Sequence, residues 1–424
     1  MAPKCPVHAH PMLVEDEQFW IDPNPVLARL QERGPIHRVC LPDRIPVWLV
    51  TGHDDVRAGL RDQRLARQRK YAGPDYTATA YPEGQPDGRL VMEDPPEHTA
   101  TRRLINFAFT PRHVATIEPR IQEIVTMLLD RVEREAAERG AADLVRTFFA
   151  PLPVWVISGI LGLHARHLDK VLAVTDAEFA LAETRDEDDD TDPLGAALMT
   201  AQSELNEILS DLVRSRRAEP ADDLISHWAT ATDDDGELLP VYDVVDLVML
   251  LYFAGSDTTA GTLVSSTVDL MAQPTELARL RANPELFPAA VEELLRRNAP
   301  ALRAVRRFAI EDMVIAGQRI AAGDTVMLSI RAANRDPAVF ADAAAFDMTR
   351  PSNHRHLAFG HGPHHCPGNS LAAVEMTIAL RELFLRFPGI ELAVPPERIP
   401  WRRSTLIRAA YGLPVRLGVV AQAA

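Results

Sequence analysis

The sequence predicts a mainly α-helical protein that contains small β-sheets and has a long central helix through its core. Three observations support this fold class. Residues from Pro240 to about Ala272 read as one helix, roughly 33 residues and about 50 Å long, that is apolar on most faces. Apolar residues recur at helical spacing through most of the region from Pro95 to Val213. Short runs of β-branched residues, separated by Gly317 and Gly323, occupy residues 301–330 and indicate strands and turns.

Shorter elements can be placed along the rest of the chain. Val47 to Thr51 is predicted to form a strand, and Asp54 to Leu60 a short helix capped by Asp54. An apolar stripe at helical spacing runs from Glu118 to Glu138. Two further helices are predicted, from Pro284 to Arg297 and from about Asn369 to Phe387.

Two segments show no apolar periodicity. Residues 67–90 are predicted to form a long loop, and the acidic residues 185–192 a surface loop. Neither the scattered prolines nor the glycines form a spacer between domains, and no repeat of 20–50 residues is visible. Although 424 residues would allow two or three domains, we therefore expect a single domain spanning residues 1–424.

Composition indicates the partners and the compartment. The formal net charge of −15 argues against a general nucleic-acid binder. The three cysteines, Cys5, Cys40 and Cys366, are too few for a disulfide framework and favour a reducing compartment. The segment from Met1 to Met12 lacks the apolar core of a signal peptide, and the apolar run from Leu247 to Gly255 is too short to cross a bilayer. We expect a cytoplasmic protein that does not bind a membrane.

The most informative segment runs from Phe359 to Gly368, directly before the last predicted helix, and reads FGHGPHHCPG. Gly360, Gly362 and Gly368 allow backbone conformations and close approaches that other residues resist. Backbone N–H groups of such a loop, at a helix N-terminus, stabilise a thiolate at Cys366. A thiolate is the ligand that a heme iron takes when an O–O bond must be cleaved.

Two other interpretations of this segment fit less well. The histidines His361, His364 and His365 could indicate a zinc site, but the sequence has no second cysteine at the spacing of a zinc motif. The two glycines Gly360 and Gly362 do not follow a clear strand and lack the third glycine of a dinucleotide-binding turn.

The same residues resemble the heme loop of the cytochrome P-450 superfamily, Phe-Gly-x-Gly-x-His-x-Cys-x-Gly, at every fixed position. The resemblance is to the soluble bacterial class of actinomycete type. It implies a cytochrome P-450 fold, a single triangular heme domain, with heme b as cofactor and Cys366 as the axial ligand of the iron. Phe359, Gly360 and Gly368 are then heme-binding residues.

Three further segments resemble the family in the right order. In Ala254 to Thr259, the resemblance makes Asp257 and Thr258 the acid–alcohol pair that delivers protons to bound oxygen, whereas Ala254 and Gly255 make room for oxygen beside the iron. From the residues alone, a threonine inside a helix usually hydrogen-bonds the preceding turn. A buried aspartate, however, requires a partner or a task.

The second segment contains Glu293 and Arg296, spaced to share one helix face. The resemblance implies that they form a buried structural network with Arg350. The aromatic residue that usually follows in the family is replaced here by Arg297 and Asn298.

The third segment runs from Asp94 to Arg102. His98 and Arg102 are four residues apart and share a helix face, which alone would indicate an exposed basic pair. The resemblance instead implies that both bind the heme propionates, together with Arg307 and His364. Planar guanidinium groups suit carboxylates well.

The resemblance implies a heme-thiolate monooxygenase that uses O₂ to hydroxylate or epoxidise a medium-sized, mostly apolar substrate, in secondary metabolism. Electrons come from NAD(P)H through an external ferredoxin and ferredoxin reductase. Arg103, Arg112 and Arg355 are candidate docking residues for the ferredoxin, or are simply scattered surface arginines. We expect a monomer.

Three alternatives remain open at this stage. A heme-thiolate protein could couple two aromatic units without inserting oxygen, or could sense a gas, although the Asp257–Thr258 pair argues against a pure sensor. The acidic run from Asp188 to Asp192 fits the magnesium motif of all-helical isoprenoid synthases, but no second metal motif follows it.

Overall fold

The fold is described from a computed structural model of the chain. It describes residues 15, 17–41, 45–74, 76, 90–163, 167–168, 170–171, 174, 193–232, 236–404 and 406–418. The segment from Met1 to Met12, the acidic residues 185–192 and most of the loop predicted at residues 67–90 lie outside these ranges.

Long helices dominate the described residues. The helices are α1 (Glu17–Ile21), α2 (Asn24–Arg33), α3 (His53–Arg61), α4 (Glu97–Asn106), α5 (Pro111–Arg139), α6 (Pro151–Leu161), α7 (Pro193–Ala218), α8 (Leu224–Ala229), α9 (Val241–Met271), α10 (Pro274–Ala282), α11 (Phe287–Asn298), α12 (Ile330–Ala333) and α13 (Asn369–Arg386). The strands are β1 (Ile36–Cys40), β2 (Pro46–Val50), β3 (Leu65–Ala66), β4 (Ala142–Asp143), β5 (Arg307–Ala309), β6 (Met313–Ile315), β7 (Gln318–Ile320), β8 (Thr325–Leu328), β9 (Glu391–Leu392) and β10 (Pro414–Arg416). The mainly α fold class with small sheets is confirmed.

The chain separates into two compact units. The first unit comprises Met1–Ile105, Asp269–Asn369 and Arg403–Arg408, and the second unit comprises Asn106–Val268, Ser370–Arg402 and Ala409–Ala424. Each unit therefore combines segments that are far apart in the sequence.

A five-stranded sheet in the order β1-β2-β8-β5-β3 organises the first unit. Strands β2 and β8 are parallel, and the other neighbours are antiparallel. Val50 and Leu328 belong to one buried apolar cluster, whereas their neighbours Leu49 and Met327 belong to another. This division follows from the alternation of side chains along a strand.

The second unit is built mainly from helices. Helix α6 is apolar along most of its length and packs against α5. Its sheet has the order β4-β10-β9 and joins residues 142–143 to residues 391–392 and 414–416. Helix α5 begins at a Thr110 cap and ends at Gly140, whose positive φ of 78° suits a helix terminus.

The long apolar helix predicted at residues 240–272 is α9, which spans Val241–Met271. By length and composition it could cross a membrane, unlike the shorter apolar run considered from the sequence alone. However, 61% of its most apolar window is buried inside the structure, as expected of a core helix in a soluble protein.

Most other predicted elements are found within a few residues of their expected bounds. One detail is wrong, because the residue at the cap position of α3 is Gly52, whereas Asp54 lies in the first turn and its carboxylate contacts His53. The hydrogen bond from His53 holds the pKa of Asp54 below its ordinary value. An acidic side chain still stabilises this helix end, from within the first turn.

Candidate active site

The cysteine loop, Phe359 to Gly368, directly precedes helix α13 in the chain. Gly360 and Gly362 have φ values of +72° and +78°, a conformation that favours glycine. A Cβ added at Gly362 would lie 2.8 Å from Cγ of Arg61. The N–H of Cys366 donates to the carbonyl oxygen of Phe359 at 2.8 Å, which closes the loop.

The Cys366 side chain is held just before the N-terminus of α13. Burial raises the pKa of its thiol, while a hydrogen bond from the backbone N–H of Gly368 and the positive charge of Arg102 oppose that rise. The residue nevertheless retains some accessible surface. A metal ion bound to the sulfur would deprotonate it, and the thiolate would then meet a donor and a cation already in place.

Helix α4 and the cysteine loop bring the predicted basic residues together. The rings of His98 and His364 lie 3.9 Å apart between centroids. Arg102 is close enough to lower the pKa values of both histidines, although burial is the larger cause for each. Burial and the nearby positive charges lower the pKa of His364 to about 2.

Arg307, on strand β5, completes the predicted set. Its Nη1 donates to the carbonyl oxygen of Leu65 at 3.2 Å, and its Nη2 to that of Leu60 at 3.3 Å. Burial lowers the pKa of Arg307 to about 10, while the negative charges of Asp94 and Asp62 oppose this shift. All the residues predicted to hold the propionates therefore lie in the first unit, around the loop that carries Cys366.

Sequence reasoning missed another arginine of this cluster. Arg67 is 6% exposed and influences the pKa values of both His98 and His364. Its position was assigned to a loop without periodicity, and no motif distinguishes it. Only the pairing of β3 with β5, which are separated by 240 residues in the chain, brings it beside Arg307.

The predicted proton-delivery pair lies on α9, in the second unit. The carboxylate of Asp257 accepts two hydrogen bonds from Arg402, at 2.8 Å from Nη1 and 3.2 Å from Nη2. Burial raises the pKa of Asp257, and the charge of Arg402 opposes that rise. No feature of the sequence pointed to Arg402 as the partner of this acid.

The hydroxyl of Thr258 donates to the carbonyl oxygen of Ala254 at 2.6 Å, one turn earlier. This is the hydrogen bond expected of a threonine inside a helix, and it leaves the hydroxyl oxygen able to accept from another donor. Ala254 is exposed, and Asp257 and Thr258 retain accessible surface, in contrast to the buried residues that follow.

Helix packing explains why residue 255 is a glycine, which the sequence alone did not reveal. A Cβ at this position would lie 2.5 Å from Cδ1 of Ile157, so the glycine lets α9 approach α6 closely. Its predicted part in making room for oxygen stays a prediction, as does that of Ala254.

Comparison with known proteins identifies the family to which this site belongs. A sequence profile described as Cytochrome P450 matches residues 11–405. The chain belongs to the cytochrome P450 family. Nocardicin C N-oxygenase of Nocardia uniformis subsp. tsuyamanensis is 42% identical over 403 residues, which cover 93% of this chain and 96% of that protein. Cytochrome P450 monooxygenase PikC of Streptomyces venezuelae is 37% identical, over 94% of this chain and 92% of that protein.

Solved structures agree with the sequence comparison. The chain is similar to the bacillaene polyketide synthase cytochrome P450 PksS of Bacillus subtilis, with a TM-score of 0.82 and 34% identity, over 96% of this chain and 99% of that one. This P450 is a heme-thiolate monooxygenase, an oxidoreductase that uses heme b. It acts on a small molecule and takes electrons from NAD(P)H through redox partner proteins. It is not an isoprenoid synthase, and the Asp188–Asp192 segment lies outside the described residues.

The residues of this P450 fit a heme. Among the described residues, the buried nitrogens His98 Nε2, Arg67 Nε and Arg307 Nε have no hydrogen-bond partner. Buried polar groups without partners are costly, so their concentration beside the cysteine loop indicates a bound group that accepts hydrogen bonds. A porphyrin with two propionate carboxylates and an iron for Cys366 meets that requirement. No cluster of three or more His, Cys, Asp or Glu within the described ranges could hold a metal ion by itself.

Glu293, Arg296 and Arg350 lie together in the first unit. Arg296 donates to both carboxylate oxygens of Glu293 at 2.7 Å, and both side chains are completely buried. Arg350 lies 3.6 Å from the same carboxylate, between Nε and Oε1. The backbone N–H of Asp347 donates to Glu293 at 3.0 Å. The network fastens residues 341–350 to α11, because Arg296 and Arg350 also donate to backbone carbonyls there.

Proposed function

We propose that Cys366 is the axial ligand of the heme iron and that His98, Arg102, Arg307 and His364 bind the heme propionates. The observation that supports this most strongly is the buried thiol of Cys366, which accepts a hydrogen bond from the backbone N–H of Gly368 and lies within the electrostatic influence of Arg102. Phe359, Gly360 and Gly368 form the loop that brings the sulfur to the metal. Glu293, Arg296 and Arg350 have a structural role.

Heme, once bound, supplies the reductive activation of O₂ and the transfer of one oxygen atom to the substrate. The chain supplies orientation, a thiolate ligand and protons. The N–H of Gly368 and the charge of Arg102 stabilise negative charge on the sulfur, and guanidinium groups stabilise the propionates. None of these groups has to gain or lose a proton while it performs this role.

Protons are delivered, in this proposal, by Asp257 and Thr258, with Ala254 and Gly255 leaving space for oxygen. Burial favours the protonated form of Asp257, and Arg402 favours the carboxylate. These opposing influences allow the group both to take up and to release a proton, which a general acid needs. The Thr258 hydroxyl oxygen can accept a proton while the hydroxyl gives up its own proton, the one that it otherwise donates to the carbonyl oxygen of Ala254.

We further propose that the substrate is a medium-sized, mostly apolar secondary metabolite, which this P450 hydroxylates or epoxidises. Relatives named for nocardicin and for polyketide biosynthesis support this class. A ferredoxin and a ferredoxin reductase are the proposed electron donors, with Arg103, Arg112 and Arg355 as docking residues. We propose that the protein is a cytoplasmic monomer.

The decisive experiment is an absorption spectrum of the purified protein, reduced and then exposed to carbon monoxide. A strongly red-shifted Soret band is expected, because a thiolate donates electron density to the iron. Cys366→His should abolish this red shift, whereas Cys40→Ala, at the buried cysteine of β1, should preserve it. A wild-type protein without the red-shifted band, or a Cys366→His variant that keeps it, would refute the assignment.

A further inference from the structure

Arg67 is a buried cation that the family resemblance does not explain. It directly follows β3, where Leu65 pairs with Ala309 and Ala66 pairs with Phe308. Continuing this antiparallel register places Arg67 opposite Arg307. Two guanidinium groups are therefore held side by side, and both are buried, with 6% and 3% of their surface exposed.

This arrangement requires negative charge. Burial lowers the pKa of Arg67 well below its ordinary value, and the positive charge of Arg307 lowers it further. Arginine nevertheless remains protonated in proteins, so both charges persist in the folded state. Buried charges are tolerated when they are paired with counter-charges and hydrogen-bonded.

Among the described residues, the two carboxylates that act on Arg67 or Arg307 are Asp94 and Asp62, and both already have other partners. Asp94 accepts the backbone N–H of Arg67 at 2.9 Å and that of Gln68 at 3.1 Å, so it is already engaged by the loop. Asp62 is bound by Arg64 at 2.7 Å. Arg67 itself donates from Nη1 to the carbonyl oxygen of Val91 at 2.6 Å, while its buried Nε has no partner among the described residues.

The missing negative charge should lie where the other donors converge. Arg67 acts on the pKa values of His98 and His364, which also lie close to Arg102 and Arg307. The permanent positive charges of the cluster reside on its arginines. A group with two carboxylates would balance them better than Asp94 and Asp62 alone.

We propose that Arg67 binds a heme propionate alongside Arg307, as a further guanidinium in the cofactor site. The inference rests on the proposed function, because it requires heme to be bound through Cys366. Arg67 is then a cofactor-binding residue that acts by charge-assisted hydrogen bonding. Arg67 lies on a loop next to a two-residue strand. This position is sufficient to hold it beside Arg307, because that strand, β3, pairs with β5, which carries Arg307.

The test uses the heme-bound protein and needs no substrate. Arg67→Gln should shift the propionate-bending band in the resonance Raman spectrum, because that band reports hydrogen bonding to the carboxylates. Transfer of heme to excess apomyoglobin should become about tenfold faster or more, since a hydrogen bond to a charged group is lost. Arg67→Lys keeps the charge without the planar fork, so it should show a smaller acceleration than Arg67→Gln.

Lys70→Gln is the matched control, because Lys70 is an exposed cation three residues after Arg67, on the same side of β3. It should leave both the propionate band and the transfer rate unchanged. An unshifted propionate band in both Arg67 variants would overturn the inference, even if heme were released faster, since a purely structural effect would explain that release. The red-shifted band with carbon monoxide tests the Cys366 assignment separately, so failure of one proposal is distinguishable from failure of the other.

Discussion

At the scale of single residues, Asp257 is held in a manner that shapes its proposed role. Its carboxylate is bound through both oxygens by Arg402, at 2.8 and 3.2 Å. A bidentate guanidinium contact is directional, so it fixes the orientation of the carboxylate as well as favouring its charge. The acid must leave this contact, at least in part, whenever it passes a proton to Thr258.

Replacing Asp257 with Asn should lower reductase-driven turnover by about 10²- to 10⁴-fold, the usual contribution of a positioned acid or base. Turnover driven by hydrogen peroxide should fall much less, because peroxide supplies both oxygen atoms and their protons. Both rates would be measured with a substrate found by its effect on the spin state of the heme. Asp246→Asn, at an exposed position of the same helix, serves as the control and should change neither rate. Equal loss of both activities in Asp257→Asn would contradict the proposed role.

At the scale of secondary-structure elements, one ion-pair network joins the end of α9 to the end of α11. Arg297 donates to both oxygens of Asp269 at 2.8 Å, and Asn298 donates to the same carboxylate at 2.8 Å. These are the two polar residues that replace the aromatic residue usual in the family. Burial opposes ionisation of Asp269, but the hydrogen bonds and charge of Arg297 hold its pKa below the ordinary value of 3.8.

Asp269→Asn should therefore destabilise the fold by about 3–5 kcal/mol at pH 7, because it leaves the buried Arg297 without its counter-charge. A folded-state pKa below the unfolded value means that the stabilisation is complete above about pH 4. It is lost as the pH falls through the folded-state value. The difference in unfolding free energy between wild type and variant, measured in denaturant, should shrink at low pH.

Asp211→Asn is a suitable comparison for this measurement. Asp211 forms an exposed ion pair with Arg214 on α7, and such pairs contribute little. A loss of stability in Asp269→Asn that matched that of Asp211→Asn would contradict the assignment of a strong buried pair.

Elements with a strong local pattern were predictable from the sequence. Helix α9 was expected at residues 240–272 and spans Val241–Met271. It could be predicted because its long apolar run is a local property of the sequence. Strand β3 has only two residues and no pattern of its own, and it exists because β5 pairs with it. Arg67 was missed for that reason. Arg402 was missed similarly, because only the folded chain brings it to Asp257, 145 residues earlier.

At the scale of the whole molecule, the net charge of −15 contrasts with the basic residues proposed as docking residues for the ferredoxin. Arg103, Arg112 and Arg355 are all exposed, and Arg355 forms a long ion pair with Asp54, at 3.8 Å. A local patch of positive charge can steer a negatively charged partner although the net charge of the protein is negative. Salt at 0.1 M screens electrostatic interactions beyond about 10 Å, so distant charges contribute little.

Arg112→Glu should weaken ferredoxin-driven turnover several-fold and leave peroxide-driven turnover unchanged, because it reverses a charge at the proposed docking surface. The effect should diminish at high salt. Arg134→Glu makes the same change on the same helix, roughly 33 Å away at 1.5 Å per residue, and should have little effect. Equal loss of ferredoxin-driven and peroxide-driven turnover in Arg112→Glu would argue against docking at this residue.

The first unit combines segments that are far apart in the chain, and this has a consequence for synthesis of the protein in the cell. Trp48 pairs with Val326 between β2 and β8, and Arg408 donates to the backbone oxygens of Trp20 and Ile21 at 2.7 and 2.6 Å. At 5–20 residues per second, strand β2 waits on the order of 15–55 s for β8 to be translated. During that interval its apolar edge is exposed, so chaperone supply and the rate of translation should limit how much chain ever captures its heme.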